Sequence, residues 1–389
     1  MRVRLLCVFL LVCAACFDAD TVSAQAPPPG PIAQSDQQDD SLNGLEFDDG
    51  SVTAFAGFFE NDLLKHLGSV NQDRNYTYGF GFQVSGSFIR KSRLSAPLSG
   101  LDRLTGMGRA HQSSPRRYYT LTTLFTGYTP DTLNTSEPIT TDRPYASIVG
   151  GSVRRLTVDE VTFDRAWSSE LAVGALGLNV VGDLQTVNHR WNRRRSGKET
   201  PYDPLGWHNQ ISHGGEPTAL YRAGYEQRLL GDESGPNVRK HWQISGGAEA
   251  SVGYYTNIGA LSRARLGWFS SDFWEFSPNA SQNGNQNLGS GKRRRPTWEL
   301  FAFGGLRPKL VGYNALLQGQ FRESVHTVTP RRLVAEWEGG VAAFIPWIRI
   351  QIVAQFAQGR SPEYTGSRRS HAWGSLLVVY SRSFSTVPQ

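Results

Sequence analysis

Three polar groups that are far apart along the chain have side chains that could together hydrolyse an ester. They are Asn61-Asp62, Thr77 and His189. A neutral imidazole such as that of His189 can take a proton from water near neutral pH, because its unperturbed pKa is about 6.5. The oxygens of Asp62 and Asn61 could bind a hard cation, which would stabilise the oxyanion that develops on the ester carbonyl. These residues therefore predict ester hydrolysis by activated water, without a covalent intermediate.

Strands must position these groups, because the dominant pattern in the chain is the alternation of apolar with polar or small residues. It is clearest over 75–89, 239–256 and 347–357. In a soluble sandwich the apolar face would be the core, whereas in a membrane barrel it would face lipid and the polar face would fill the lumen. Aromatic residues near strand ends favour the membrane barrel. They are Tyr76, Trp242, Tyr254, Tyr255, Trp268, Trp347 and Trp373.

Thirteen segments have the character of strands, but bacterial single-chain barrels have an even number, so at least one of these segments is not a separate strand. We predict an all-β, antiparallel transmembrane barrel. The segments are 53–60, 75–89, 117–127, 144–157, 167–177, 217–230, 239–256, 259–270, 297–307, 310–322, 331–345, 347–357 and 372–384. Between Asp183 and Arg194, apolar residues recur at helical spacing, which predicts a short helix inside one extracellular connection.

The order of the strands allows the polar groups to meet. Consecutive connections of an up-and-down barrel alternate between its two rims. Asn61-Asp62 and Thr77 flank the first connection, Asp142-Arg143-Pro144 lies in the third, and His189 lies in the fifth. Because all three connections are odd-numbered, we expect these residues at one rim. The second and eighth connections, 90–116 and 271–296, are unusually long for the opposite, periplasmic rim.

The beginning of the chain predicts export. Residues 1–24 have the charged, apolar and small-residue regions of a secretory signal peptide, and residues 25–51 are rich in Pro, Gln, Asp and Ser, which predicts a disordered arm. The barrel domain is then 52–389. All three cysteines lie in the leader, which excludes disulfides and a thiol nucleophile from the mature chain. No later stretch is long and apolar enough for a transmembrane helix.

Four motifs in order resemble the lipid A 3-O-deacylase family of the Gram-negative outer membrane. The motifs are Asn61-Asp62, the run DRNYTYG from Asp73 to Gly79, the run DRPYA from Asp142 to Ala146, and His189 followed by Gly206-Trp207, Asn209-Gln210 and Glu216-Pro217. The resemblance spans most of residues 55–385. It implies a 12-stranded outer-membrane barrel whose substrate is lipid A within lipopolysaccharide.

The resemblance also implies roles for individual residues. His189 would be the general base, Asn61, Asp62 and Thr77 would complete the catalytic site, and Ca²⁺ held by Asp62 and Asn61 would be the cofactor. The implied reaction removes the 3′ acyl or acyloxyacyl chain of lipid A. We expect a monomer in contact with outer-membrane lipids, and the leader and barrel pattern argue against nucleic acid as a partner.

Two features of the family pattern are absent at the expected places. The family uses a lysine before the histidine, but this chain has no lysine from 92 to 197, so an arginine would have to supply that charge. The family also uses a glutamate shortly after the histidine, and Glu199 is the candidate here. Arg190, Arg193 and Arg194 belong to a basic cluster that is either a solvated surface or a site for substrate phosphates.

Two other functions fit the same sequence. A barrel that lacks the family lysine and glutamate could be a non-catalytic pore or structural protein, and an outer-membrane phospholipase could use the same residues on glycerophospholipid esters. We expect structural roles for the turn at Asp142-Arg143-Pro144-Tyr145 and for Trp207, Asn209 and Gln210, which would support the segment carrying His189.

Overall fold

Twelve antiparallel strands form a closed barrel in which each strand pairs with its sequence neighbours and the first pairs with the last. The computed structural model describes residues 52–61, 75–107, 115–159, 162–197, 199, 202–234, 238–276 and 298–381. The strands are β1 Val52–Asn61, β2 Asn75–Gly86, β3 Pro115–Thr129, β4 Ala146–Asp159, β5 Arg165–Leu176, β6 Glu216–Gly231, β7 Lys240–Gly253, β8 Tyr255–Phe269, β9 Glu299–Asn314, β10 Leu333–Ile345, β11 Ile350–Arg360 and β12 His371–Ser381. The predicted 12-stranded barrel is confirmed.

Within the residues that the structure describes, four α-helices lie in the connections. They are α1 Ser87–Lys91, α2 Ala96–Thr105, α3 Val180–Ser196 and α4 Ala315–Gln318. The predicted helix is α3, which extends beyond the predicted 183–194 at both ends. The sequence pattern did not indicate α1 and α2, which follow β2 where the alternation suggested a strand up to residue 89. Among the described residues, no helix is long and apolar enough to cross a membrane.

The thirteenth predicted strand was wrong because it divided one strand into two. The segments predicted at 297–307 and 310–322 are β9, which runs through Pro308 and ends at Asn314. Proline usually interrupts a central strand because it has no N–H to donate. Here Pro308 still pairs in register with Ala335 of β10, while the ladder to β8 has a gap between Leu306 and Lys309.

The alternation has the orientation expected of a membrane barrel. Large apolar side chains on the outward face are exposed, including Phe82 at 53% and Leu266 at 68%. The inward face carries buried ionic pairs that bridge strands which are not neighbours. Arg263 of β8 lies 2.8 Å from Glu338 of β10, and Lys309 of β9 lies 3.1 Å from Glu249 of β7. Such pairs can form only across the concave inner side.

The part of the lumen formed by the described residues is filled, which argues against the pore that the sequence left open. The buried ionic pairs form a layer across the lumen. In this ionic layer Lys309 and Glu336 pair at 2.9 Å, and both are nearly inaccessible to solvent. Towards the rim with even-numbered connections, apolar side chains including Phe269, Phe301 and Phe276 pack inside the wall. The described lumen therefore contains an apolar cluster near the rim with even-numbered connections and an ionic layer further from that rim.

The two rims differ in what their connections do. The rim with odd-numbered connections carries the longest one, 177–215, which contains α3, so we take this rim as extracellular. The other rim, at which β1 begins and β12 ends, is then periplasmic. Of its two unusually long connections, one enters the lumen at Phe273–Phe276. The other carries α1 and α2 over the outside of the wall.

Several predictions concern residues outside the described ranges. The signal peptide at 1–24 and the arm at 25–51 lie there, so both stay predictions. The same holds for Asp62 and the first residues of the DRNYTYG motif, and for the end of the barrel domain beyond residue 381.

Candidate functional site

Asn61 and Thr77 come together where β1 and β2 reach the extracellular rim. The Asn61 Nδ2 donates a hydrogen bond to the Thr77 carbonyl at 3.0 Å, and both residues are buried. Thr77 occupies a β-bulge between Tyr76 and Tyr78, and its hydroxyl lies 2.6 Å from the Thr129 hydroxyl at the end of β3. The bulge therefore gathers three oxygen-bearing side chains from three consecutive strands.

Helix α3 carries His189 on a polar face that is turned towards the protein. Val181, Gln185 and His189 follow one another at intervals of four residues and are all buried. Leu184, Val187 and Trp191, whose spacing predicted the helix, are exposed at 41%, 64% and 56%. The helix was thus predicted from the correct period, but the three apolar side chains that indicated it face away from the protein.

His189 is held by a backbone carbonyl. Its imidazole is 3% exposed, and its Nδ1 lies 2.6 Å from the carbonyl oxygen of Tyr202. A carbonyl can only accept, so this contact requires Nδ1 to carry a proton. In the neutral ring, Nε2 is then the basic nitrogen. A fixed tautomer with a basic Nε2 is the state that a general base requires.

Contacts at the first turns of α3 join the helix to the strands that carry Thr77 and Thr129. The Tyr78 hydroxyl donates to the Val181 carbonyl. Gly182 lies against the indole of Trp207, where an added Cβ would come within 2.6 Å of the ring. The Trp207 Nε1 donates to Gln185 Oε1 at 2.8 Å. His189 lies two turns further along, which is about 12 Å from Val181.

The residues that follow α3 attach its connection to neighbouring elements. Trp207 packs against Tyr145 of the DRPYA motif with 5.0 Å between ring centroids. Asn209 donates to the Ser136 carbonyl at 2.7 Å, and Gln210 Oε1 accepts from Ser147 at 2.8 Å. The fifth connection is thus tied to the third connection and to the start of β4, as a support for His189 requires.

Asp203 is a residue that no sequence motif indicated. It accepts from Arg193 at 2.5 Å and from Arg190 at 3.1 Å, so it links two successive turns of α3 to the segment carrying Tyr202. The hydrogen bond from Arg193 is the largest cause that holds the pKa of Asp203 below its ordinary value. Arg190 and Arg193 therefore have a structural partner in Asp203, although Arg190 is exposed, as is the third predicted substrate-binding arginine, Arg194.

The turn at Asp142-Arg143 is built into a second cluster that the sequence did not indicate. Asp142 accepts from the backbone N–H of Asp131 at 2.8 Å and from the Tyr364 hydroxyl at 2.5 Å. Burial and that hydrogen bond raise the pKa of Tyr364 to about 12. Arg143, 1% exposed, lies over the Tyr128 ring at 4.3 Å and pairs with Glu363 at 3.4 Å. Only the fold brings residue 143 to residue 363.

The structure supports one of the two proposed replacements for the missing family lysine and glutamate better than the other. Glu199 is exposed, and the described contacts do not place it beside His189. Arg143 is a buried cation next to the strand end that carries Thr129, and its Nε has no hydrogen-bond partner within the described structure. Arg143 is therefore a better candidate for the missing positive charge than the cluster at 190–195.

The oxygen donors at the bulge are the kind that a hard cation prefers, since Asn61, Thr77 and Thr129 offer amide and hydroxyl oxygens. The predicted carboxylate ligand, Asp62, lies outside the described residues. Within the described ranges, no group of three or more His, Cys, Asp or Glu could hold a metal ion. The described part of the site thus fits the predicted calcium ligands in chemical type but supplies only the neutral donors.

The first similar solved structure supports the architecture, and two others are reported beside it. LpxR from Salmonella typhimurium matches with a TM-score of 0.60 at 14% identity, covering 85% of this chain and 100% of that one. The β domain of the Bordetella autotransporter BrkA matches with a TM-score of 0.36 at 10% identity, covering 86% and 99%. The translocator domain of NalP from Neisseria meningitidis matches at 0.39 with 9% identity, covering 88% and 92%. No curated protein matches the chain.

The sequence itself matches a family model. The model describes the outer membrane protein LpxR and matches residues 9–382, nearly the whole chain. The match confirms the resemblance that the four motifs indicated and places the barrel in the outer membrane. This chain belongs to the LpxR family of outer membrane proteins.

Proposed function

We propose that this protein is a lipid A 3-O-deacylase that hydrolyses the 3′ ester-linked acyl or acyloxyacyl chain of lipid A. The observation that carries the proposal is the contact between His189 Nδ1 and the Tyr202 carbonyl, because it leaves Nε2 as the base. Nε2 takes a proton from a water molecule, and the resulting hydroxide attacks the ester carbonyl. The imidazolium then returns the proton to the sugar oxygen as the C–O bond breaks, which yields a fatty acid and a sugar hydroxyl.

Asn61 and Asp62 would hold Ca²⁺ in this proposal, with Thr77 orienting Asn61. When bound, the ion would supply a Lewis acid for the oxyanion, and loss of such a stabiliser typically costs about 3 to 4 kcal/mol in barrier. The Asn61 amide nitrogen is committed to the Thr77 carbonyl, so the amide oxygen points elsewhere. The Thr77 carbonyl thereby sets the orientation in which Asn61 can act as an oxygen ligand.

The outer surface of α3 suits a lipid substrate with an anionic headgroup. Val180, Leu184, Val187 and Trp191 form an exposed apolar stripe along the helix. Arg194 and Arg195 are exposed at the end of the same helix. An apolar stripe beside basic residues is the composition of helices that lie at a membrane interface. It would bring the acyl chains and phosphates of lipid A to the helix whose inner face carries His189.

The test is mass spectrometry of lipid A from a Gram-negative host that expresses the full-length protein or its His189→Ala variant. We expect loss of one 3′ acyl or acyloxyacyl unit with the wild-type chain only. Heat-modifiable migration on gels would show that the variant still forms a barrel. Deacylation by His189→Ala would reject the histidine as base. Release of fatty acid from glycerophospholipids, with lipid A intact, would identify a phospholipase instead.

Calcium dependence is tested separately with purified protein in detergent micelles. We expect excess chelator to abolish deacylation and added Ca²⁺ to restore it. An Asp62→Asn variant should require more Ca²⁺ for half-maximal activity, whereas an Asp232→Asn variant at the other rim should not. Full turnover in excess chelator would reject the calcium role and leave the base unaffected.

A further inference from the structure

The connection between β2 and β3 lies on the outer wall of the barrel, where lipid would be expected. Outward residues of β4, β5 and β6 alternate with the inward ones, Arg154, Glu170 and Arg222. The outward set includes Arg155, Ser169 and Tyr221, and all three are buried. On the same outward face of β5, Val173 is 57% exposed. The difference arises because α2 covers one part of the face and leaves the other uncovered.

A polar contact fixes α2 to this wall. Asp102 is fully buried and pairs with Arg155 at 3.0 Å. It also accepts from Tyr221 at 2.8 Å and from Ser169 at 3.0 Å. Arg155 in turn donates to the Met107 carbonyl at 2.6 Å. An arginine that faces lipid costs about 2 to 4 kcal/mol at the middle of a bilayer, so this wall is built to be covered.

Apolar side chains complete the contact between the helices and the wall. Ile89 and Leu98 are buried against Val153 and Tyr221 in one cluster, with Leu171 packed against it. Ser169 is four residues from the periplasmic start of β5, which places it about 10 Å above that rim for a strand tilted by about 40°. The helices therefore lie within the depth of the periplasmic leaflet.

The surface that α1 and α2 turn away from the wall is apolar and basic. Leu94 and Leu104 are exposed at 55% and 80%. Arg90, Lys91, Arg93 and Arg103 are also exposed, and the single acidic residue between 87 and 107 is the buried Asp102. Arg90 and Lys91 follow the periplasmic end of β2 within five residues, which puts them at headgroup level.

We propose that residues 87–107, docked on the outer wall, form a binding surface for anionic glycerophospholipids of the periplasmic leaflet. Leu94 and Leu104 insert among the acyl chains, and Arg90, Lys91 and Arg93 bind the phosphates of the headgroups. Charge complementarity favours this partner, because exposed basic side chains beside apolar ones are attracted to anionic lipid surfaces. This surface is independent of the proposed deacylation, since it lies at the opposite rim from His189.

The position of the segment can be tested with a single fluorescent label. The predicted mature chain has no cysteine, so Leu104→Cys in full-length protein takes one environment-sensitive probe. A Gly100→Cys variant gives a second position, where an added Cβ meets no atom within 4 Å. Leu266→Cys on the lipid-facing side of β8 is the matched control. We expect lipid-attached quenchers to reach all three probes and aqueous iodide to reach none. Quenching at 104 and 100 by iodide alone would overturn the proposal.

The same label tests the choice of lipid. Energy transfer from position 104 to headgroup-labelled phosphatidylglycerol, compared with labelled phosphatidylcholine, reports local enrichment in mixed vesicles. One basic residue strengthens the attraction to an anionic lipid surface by about fivefold. We therefore expect phosphatidylglycerol to be enriched at least to that extent. Arg90→Gln/Lys91→Gln/Arg93→Gln should abolish the enrichment. Arg239→Gln/Arg349→Gln, elsewhere near the periplasmic rim, should preserve it. Equal transfer to both lipids in the unmodified background would reject the anionic partner.

Discussion

Two helices inserted in long connections, α3 and α2, each bury one titratable side chain, and they do so in different ways. His189 on α3 is held through one ring nitrogen by a backbone carbonyl. Asp102 on α2 is held by an arginine, a tyrosine and a serine. A carbonyl orients the imidazole and keeps the proton on Nδ1, so Nε2 is the basic nitrogen of the neutral ring. Three polar partners instead occupy the hydrogen-bonding sites of the Asp102 carboxylate and fix its position.

The comparison distinguishes the proposed reactive site from a structural one by the kind of partner rather than by burial. Both side chains are almost inaccessible, so burial alone would rank them together. Both helices also expose apolar side chains beside arginines. One helix lies at the rim that faces the outer leaflet, and the other lies against the wall in the periplasmic leaflet. The variants below test this distinction, beginning with the largest expected effect.

Replacing the base should have the largest effect, and it should fall on activity alone. We expect His189→Gln to lower kcat for deacylation by about 10² to 10⁴-fold, because the amide cannot take a proton from water. Thermal unfolding in micelles should change little, since glutamine can still donate to the Tyr202 carbonyl. A rate within tenfold of wild type would place the base elsewhere.

Asp102→Asn should act on stability alone. Leaving Arg155 buried without its counter-charge is expected to cost about 3 to 5 kcal/mol, measured as urea-induced release of a probe at Leu104→Cys. The double variant Asp102→Leu/Arg155→Leu should recover most of this loss, because an apolar pair leaves no unpaired charge. Reduced deacylation by the folded Asp102→Asn protein would contradict the structural role.

Trp207→Phe should have an intermediate effect on both deacylation activity and stability. The substitution keeps an aromatic ring beside Gly182 but leaves the Gln185 amide oxygen buried without the indole donor, which costs about 1 to 3 kcal/mol. We expect lower thermal stability and a several-fold lower kcat as α3 shifts. Trp191→Phe, on the exposed face of the same helix, is the control for stability. Equal destabilisation by both would show that the contact with Gln185 is unimportant.

Asp203→Asn should have the smallest effect, because exposed ion pairs contribute little. The pKa of Asp203 is depressed in the folded protein, so the contribution of the carboxylate is complete above its ordinary pKa and is lost as pH falls below about 3.8. Limited proteolysis near residue 200 should therefore rise at acidic pH in the wild type and be less dependent on pH in the variant. An identical pH profile in both proteins would remove the role of Asp203.

The sequence by itself determined the class of the protein and the location of its strands. Period-two alternation is a local property, so the barrel and the helix around 183–194 could be inferred from neighbouring residues. The count of 12 strands came from the family resemblance, because the alternation indicated thirteen. The four motifs indicated the family, and the parity of the connections correctly predicted that Asn61, Thr77 and His189 share a rim. Pro308 misled the strand count because the local signal of a break was overruled by pairing with β10.

Tertiary structure alone decided what each polar residue touches. His189 contacts a carbonyl 13 residues away in sequence. The partners of Asp102 are 53 to 119 residues away, and Glu363 is 220 residues from Arg143. Local periodicity carries no information about such separations. The orientation of α3, whose exposed face carries an apolar stripe, also depended on the fold. An apolar stripe indicates a helix, but it does not indicate whether protein or lipid lies on that side. The sequence did not indicate the contact between α2 and the wall for the same reason. A buried arginine on the lipid side of β4 is explained only by its pairing with Asp102.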